Sequence, residues 1–400
     1  MSNCIYKKIM MLLTVVAVFF MAGSVMAGDV IKIGASAAKT GSLAGGTAVT
    51  HWPNIKLWVH QVNARGGLQL KGGKAKIELV EYDDRTTPGE AIKNVQRMVN
   101  QDKVDFIIPP YGTGFVLATA PIFAKYGYPN IAVTAITDKI PELTKRYPSM
   151  FFTLGDTTAF AGSVVEILSK MRDDGKIGNR VAMVNVADAF GIELANAGRP
   201  AFKKAGFEIV YDKSYPLGTQ DLSPVVKGAK ASNPDAFVAW SYPPDTFGLA
   251  EQAKIEGLNV KAYYSAVATA FPAFGGKFGT SAEGILGAGG INPDTPEMQA
   301  YIKEHKEVTG KAPDFWASAV TYASLQILEK AIEGVGSKDR KAVIAYLKSN
   351  SFDTVIGPVK FKNQNNEKFW TVGQWQSGKF YGVSSTGRPG AKPVKVKTGW

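Results

Sequence analysis

The sequence predicts an α/β protein of two lobes, each a parallel sheet wrapped by helices, and three observations carry that expectation. Short β-branched runs alternate with segments whose apolar residues recur at helical spacing, the alternation restarts near the middle of the chain, and Gly- or Pro-bearing turns follow the strands. Length agrees, since about 370 residues remain once a leader is removed, room for roughly two domains with a core each.

The leader is the apolar run Ile9 to Ala22, preceded by Lys7 and Lys8 and followed by Val25-Met26-Ala27. It reads as a secretory signal peptide over residues 1–27, cleaved before Gly28, so the mature chain is expected to be exported. The run is short for a bilayer span and polar residues follow at once, which makes a retained anchor the weaker alternative. Cys4, the single cysteine, lies in the leader, so the mature chain is expected to be free of thiols and disulfides.

A composition 45% apolar and 20% charged is that of a globular protein, and no later run is long enough to cross a membrane. The formal charge of +12 raises a nucleic-acid reading. Lys7 and Lys8 leave with the leader, however, and Arg388, Lys392, Lys395 and Lys397 lie in the Pro/Gly-containing stretch 386–400, expected to be a flexible basic tail. The remaining cations are dispersed among acidic and polar residues, a solvated surface rather than a nucleic-acid footprint.

In the first unit, Val30 to Ser36 is a strand, the loop Thr40 to Gly46 leads into a helix ending near Ala64, Lys76 to Tyr82 is a strand and Pro88 to Gln101 a helix. Asp105 to Pro109, Val116 to Tyr126 and Ile131 to Val133 continue as strand, helix and strand. After Tyr147-Pro148 the pattern restarts with strands at Arg180 to Val186, Glu208 to Lys213, Ala236 to Trp240 and Lys261 to Ser265. Helices at Ile192 to Ala205, Asp221 to Lys230 and Thr246 to Glu256 separate them. A helical stretch from Pro296 to Leu347 and short strands near Phe352 to Phe361 and Phe369 to Tyr381 close the chain. The late helices are expected to return to the first lobe and the last strands to the second. That gives lobe I as 28–150 plus 270–350 and lobe II as 151–269 plus 351–385.

Catalytic and metal chemistry find little support. His51, His60 and His305 include no i, i+4 pair, the mature chain has no thiolate, and no Gly-x-Ser-x-Gly elbow occurs. No metal and no cofactor are expected. The loop Gly41 to Gly46 follows a strand and opens a helix but lacks dinucleotide spacing and a Walker lysine. It offers helix-start amides with hydroxyls at Ser42 and Thr47, and Pro109 to Gly114 offers Thr113 and Gly114 in the same context; either suits a carboxylate or is simply a cap. Such loops lie at the carboxyl ends of parallel strands, where open α/β sheets bind ligands. In the second unit Phe190, Trp240, Tyr242 and Tyr263-Tyr264 bring aromatics to strand ends, either as core or as one wall of a cleft. Asp83-Asp84 resembles a catalytic pair but fits a helix-capping role better.

Together, Ile31-Lys32-Ile33-Gly34, Thr40-Gly41, Asn63-Ala64-Arg65-Gly66-Gly67, Glu81-Tyr82-Asp83-Asp84, Ala120-Pro121-Ile122-Phe123, Phe190-Gly191, Asn233-Pro234-Asp235 and Gln252 to Leu258 occur in an order that resembles the periplasmic leucine/isoleucine/valine-binding protein family. The resemblance covers nearly the whole mature chain. It implies a type I periplasmic binding fold, two doubly wound lobes joined by three hinge crossovers, that hands a solute to the membrane permease of an ABC importer. It also implies periplasmic localisation, and a monomer is expected. The family's carboxylate-holding positions correspond to Tyr111, Thr113 and Gly114, with Ala135 and Thr137, and its second-lobe aromatics to Phe190 and Tyr242.

The chain departs from the family where amino-acid binders place an acid for the ligand ammonium: Ser265-Ala266-Val267-Ala268 has none, and Phe190 replaces the usual tyrosine. A buried unpaired ammonium is costly. A carboxylate lacking an α-ammonium, aromatic or short aliphatic, is therefore expected, with branched-chain amino acids the alternative should Asp188 or Asp245 supply the charge. An enzyme would need a site the sequence does not display, and a sensory ligand-presenting module remains a third class.

Overall fold

The computed structural model describes residues 30–367, 369–385 and 390–400, so the expected signal peptide lies outside the described residues. The first β-branched run forms β1 (Val30–Ser36). Its Gly-rich loop opens two consecutive helices, α1 (Ala44–Thr50) and α2 (Trp52–Ala64), where the sequence suggested one. Pro53, in the first turn of α2, occupies a position whose N–H has no helical partner in any case. Then follow β2 (Leu68–Leu70), β3 (Gly73–Tyr82), α3 (Pro88–Arg97), β4 (Phe106–Ile108), α4 (Thr113–Lys125), β5 (Asn130–Ala132), α5 (Ile140–Arg146) and β6 (Met150–Phe152). The lobe I sheet runs β2-β3-β1-β4, with β1 parallel to β3 and β4 and β2 antiparallel at the edge; β5 and β6 pair in parallel beside it.

Lobe II repeats the pattern with α6 (Thr157–Asp173), β7 (Arg180–Val186), α7 (Ala189–Lys204), β8 (Glu208–Tyr215), α8 (Ser223–Ala231), β9 (Ala236–Trp240), α9 (Pro243–Glu256), β10 (Ala262–Ser265), α10 (Pro272–Phe278) and β11 (Leu286–Ala288). The chain then returns through α11 (Pro296–Thr309), α12 (Ala317–Val335) and α13 (Arg340–Ser349), of which α11 and α12 pack on α2 of lobe I. A hairpin, β12 (Ser351–Thr354) and β13 (Gly357–Lys360), precedes β14 (Thr371–Gln376) and β15 (Lys379–Ser385). The lobe II sheet has the order β15-β14-β11-β10-β9-β7-β8. Strands β9 and β10 are buried throughout, and β7 in all but its first residue, Arg180, because helices cover both faces.

Two lobe boundaries differ from the expectation. Residues 270–288 stay with lobe II: β11 pairs with β10 and β14, and Phe274 and Phe278 of α10 pack on Phe247. Leu-Gly-Ala carries no β-branched signal, so this strand was silent in the sequence. Residues 351–361 belong with lobe I, where β12 packs on α12 and Phe361 meets Phe151 at 5.2 Å; the chain joins lobe II only at Thr371.

The flexible tail also needs correcting over residues 390–400. The Lys397 amide donates to the Lys261 carbonyl at 2.8 Å, the Gln374 side chain donates to the Lys395 carbonyl at 2.7 Å, and the Trp400 ring meets Tyr263 at 5.1 Å. Lys397 itself is buried, its ammonium donating to the Ser281 carbonyl at 3.0 Å, and burial pulls its pKa down to about 8. A Pro/Gly/Lys composition says nothing of the partners that β10 and β14 supply.

Candidate ligand-binding site

Between the lobes lies a cleft of about 410 Å³, its opening to solvent included, with walls from both. Lobe I contributes Tyr111 and Gly112 from the turn after β4, and Val133 and Thr134 from the turn after β5. Lobe II contributes Phe190 at the start of α7, Tyr242 before α9, and Val267 after β10. Leu154, Trp316, Ala317, Val320 and Trp370 close the side where the chain passes between the lobes. Among the described residues no charged side chain lines the cavity.

Four helices begin at these walls, and their starts differ in charge compensation. The Asp188 carboxylate caps α7, accepting from the Gly191 amide at 3.0 Å and from the Tyr242 hydroxyl at 3.0 Å. Asp245, in the first turn of α9, reaches back to the Tyr242 amide at 3.2 Å. The Asp314 carboxylate, fully buried, accepts from the amides of Trp316, Ala317 and Ser318 at 2.8, 2.7 and 2.9 Å and so caps α12. Burial raises the pKa of all three acids, that of Asp245 to about 7, while these hydrogen bonds pull the other way. By contrast α4 starts at Gly112 with no side-chain cap and no acid in its first turn. Its positive end and its first amides face the turn that lines the cavity.

That turn is held from below. Gly112 adopts φ +97°, a left-handed backbone that disfavours any Cβ, and its amide donates to the Thr134 hydroxyl oxygen at 2.8 Å. Thr134 thereby keeps its own proton to donate. The buried Thr113 hydroxyl oxygen likewise accepts from the Ile136 amide at 3.2 Å, tying the turns after β4 and β5 together. Across the cleft Phe190 and Tyr242 stack with ring centres 4.8 Å apart, and Tyr242 approaches Tyr111 at 6.4 Å. Behind Tyr111 lies fully buried His51, edge-on at 6.3 Å, whose pKa falls to about 4 through burial, so the ring is neutral.

Of the residues singled out in the sequence, Tyr111, Phe190 and Tyr242 line the cavity, with Thr113 and Gly114 directly behind Gly112 at the start of α4. Others lie elsewhere. Ser42 does not line the cavity and lies against Gly218 of lobe II. The Thr47 hydroxyl is turned inward to the carbonyls of Ala38 and Ala44. Ala135 is packed in a small core with Val116 and Met150, and the Thr137 hydroxyl accepts from the Lys139 amide at 3.1 Å. Trp240 is core, 5.9 Å from Phe160 and 5.7 Å from Tyr264. Neither Asp188 nor Asp245 lines the cavity, so neither presents a carboxylate to an ammonium there. Sequence reasoning missed Thr134, Trp316 and Trp370; Trp316 falls inside the expected helical stretch and Trp370 at the start of an expected strand rather than at its end, and only the fold brings them to the cleft.

A family model described as periplasmic binding protein matches residues 30–379. The Leu/Ile/Val-binding protein of Escherichia coli (strain K12) is 29% identical over 318 residues, covering 79% of this chain and 82% of that protein. An amino acid binding protein of Pseudomonas aeruginosa is 26% identical over 395 residues, covering 95% and 99%. Among solved structures, an ABC transporter solute binding protein of R. palustris in complex with benzoate superposes with TM-score 0.77 at 20% identity, covering 92% of this chain and 99% of that one. The branched-chain amino acid transporter substrate binding protein LivJ of Streptococcus pneumoniae, in complex with isoleucine, gives 0.76 at 24% identity, covering 89% and 99%. At these identities the two structures attest the fold.

Proposed function

Since the chain belongs to the periplasmic binding protein family, we propose that it captures a small ligand with one carboxylate and no α-ammonium, aromatic or short aliphatic, for an ABC importer. The observation that carries this reading is the contrast among helix starts. Those of α7, α9 and α12 are served by Asp188, Asp245 and Asp314, whereas α4 has no side-chain cap and no acid among the described residues lines the cavity. An anion at α4 gains the free amides of Thr113 and Gly114 and the Thr134 hydroxyl proton. An ammonium in the same cavity would meet no carboxylate among the described residues, because the nearby ones are engaged behind Tyr242.

Phe190, Tyr242 and Val267 supply the second wall, so a ligand held by lobe I completes its contacts only when lobe II is closed over it. Ligand thus favours the closed form, which the monomeric protein presents to the membrane permease. No step alters the ligand. The relatives named for leucine, isoleucine and valine support the transport class, and the benzoate-bound R. palustris structure shows an aromatic acid held in this fold.

A thermal-shift screen of the mature protein tests the reading, because a ligand that binds only the folded state raises its melting temperature. Benzoate-like and short aliphatic monocarboxylates are expected to stabilise and leucine is not. Selective stabilisation by leucine, isoleucine or valine would overturn the absence of an ammonium partner.

A further inference from the structure

We infer that Trp316 is the specificity-determining residue of this cleft, setting how long a ligand can be between the α4 start and the side where the lobes are joined; this rests on the ligand position proposed above. Its placement is built rather than incidental. The Asp314 carboxylate holds the Trp316 amide at 2.8 Å, and at Gly289, which has φ +126°, an added Cβ would lie 2.9 Å from the Trp316 Cβ. The indole is nearly fully buried and lines the cavity.

Trp316 also sits where the connections between the lobes converge. Gly289 follows β11 at the start of the second connection, while Leu154 in the first and Trp370 in the third share the cavity wall with Trp316. Trp370 stacks on Phe160 of α6 at 3.7 Å, and Trp316 meets the same Phe160 at 6.3 Å and Trp370 at 6.0 Å. The backbone of Trp316 belongs to lobe I and its ring packs on lobe II. A ligand anchored at α4 that reaches this wall pushes on the segments that twist when the lobes swing, so one too long for it holds the lobes apart.

The test is calorimetric titration of the mature wild type, Trp316→Phe and Trp316→Ala with benzoate, phenylacetate and 3-phenylpropanoate, and in parallel with valine and leucine. In wild type the shortest aromatic acid should bind tightest. Trp316→Ala should shift the ratio of affinities at least tenfold toward 3-phenylpropanoate, with Trp316→Phe between. Should Trp316→Ala unfold, the smaller shift in Trp316→Phe decides. An unchanged ranking in a folded variant overturns the inference while leaving the proposed ligand class intact. Binding of the amino acids but not the aromatic acids overturns the ligand class, and the valine-to-leucine ratio across the variants then decides on Trp316. Binding of neither series overturns the inference, because no ligand of graded length is then held between α4 and Trp316.

Discussion

In lobe I, α4 starts at Gly112 with no side-chain cap and a turn stapled by Thr113 and Thr134, whereas in lobe II α7 and α9 start under Asp188 and Asp245 behind a stacked pair of aromatic rings. Both walls come from the same unit, a parallel strand followed by a helix, and the same end of that unit. One leaves its helix end open to a ligand anion; the other satisfies it internally and turns an apolar face to the cleft. On the function proposed here, ligand class is written in which helix starts are already occupied as much as in which side chains touch the ligand.

The largest effect expected concerns the occupied side. Burial raises Asp245 from 3.8 to about 7, so between those pH values the folded protein holds a proton that the unfolded chain has lost. Its contribution to stability is complete below 3.8 and lost as the pH rises to about 7. Asp245→Asn should flatten that decline in denaturant melts run across the window, and each pKa unit corresponds to about 1.4 kcal/mol. Equal slopes in variant and wild type would mean that the carboxylate is not buried behind Tyr242. Next comes the apolar face. Phe190→Ala removes one ring of the stacked pair and should weaken ligand binding by about 2–3 kcal/mol, the scale of burying a phenyl group. A loss confined to stability, with affinity unchanged, would place Phe190 outside the site.

A third change sharpens the contrast from the lobe I side. At Gly112 an added Cβ meets a left-handed backbone and lies 3.3 Å from the Tyr242 hydroxyl of the opposite lobe. Gly112→Ala should cost about 1–2 kcal/mol in backbone strain alone, read as a lowered melting temperature, and should weaken ligand binding further by obstructing closure. Unchanged affinity in a folded Gly112→Ala protein would show that the lobes do not meet at this turn.

The sequence made the two α/β units, their order and much of the strand content legible, because period-2 and period-3.6 patterns are local. It misplaced the lobe boundaries where the signal is not local: β11 is Leu-Gly-Ala, a strand only because β10 and β14 flank it. The site divided the same way. Tyr111, Phe190 and Tyr242 stand at strand ends and could be found by counting, but so does Trp240, whose ring fits against Gly198 of α7 in the core instead. Trp316 and Trp370 are distant from any strand end before them, and no spacing rule reaches them. The family resemblance points to Thr137, three residues beyond Thr134, but its hydroxyl serves its own turn.

The smallest effects separate the two threonines of the lobe I wall, which look alike in sequence. The Thr113 hydroxyl oxygen accepts from the Ile136 amide and the Thr134 oxygen from the Gly112 amide, but only Thr134 lines the cavity. Thr113→Ala leaves a buried amide without its acceptor and should lower stability by roughly 1 kcal/mol, with Thr113→Ser restoring it. Thr134→Ala also loosens Gly112, yet its larger signature should be in the ligand, because in the proposed complex the hydroxyl proton it removes faces the carboxylate. Affinity should fall by about 1 kcal/mol, measured with the strongest stabiliser from the thermal-shift screen. A reversed pattern, with Thr113→Ala weakening binding more than Thr134→Ala, would move the carboxylate deeper, onto the α4 hydroxyl itself.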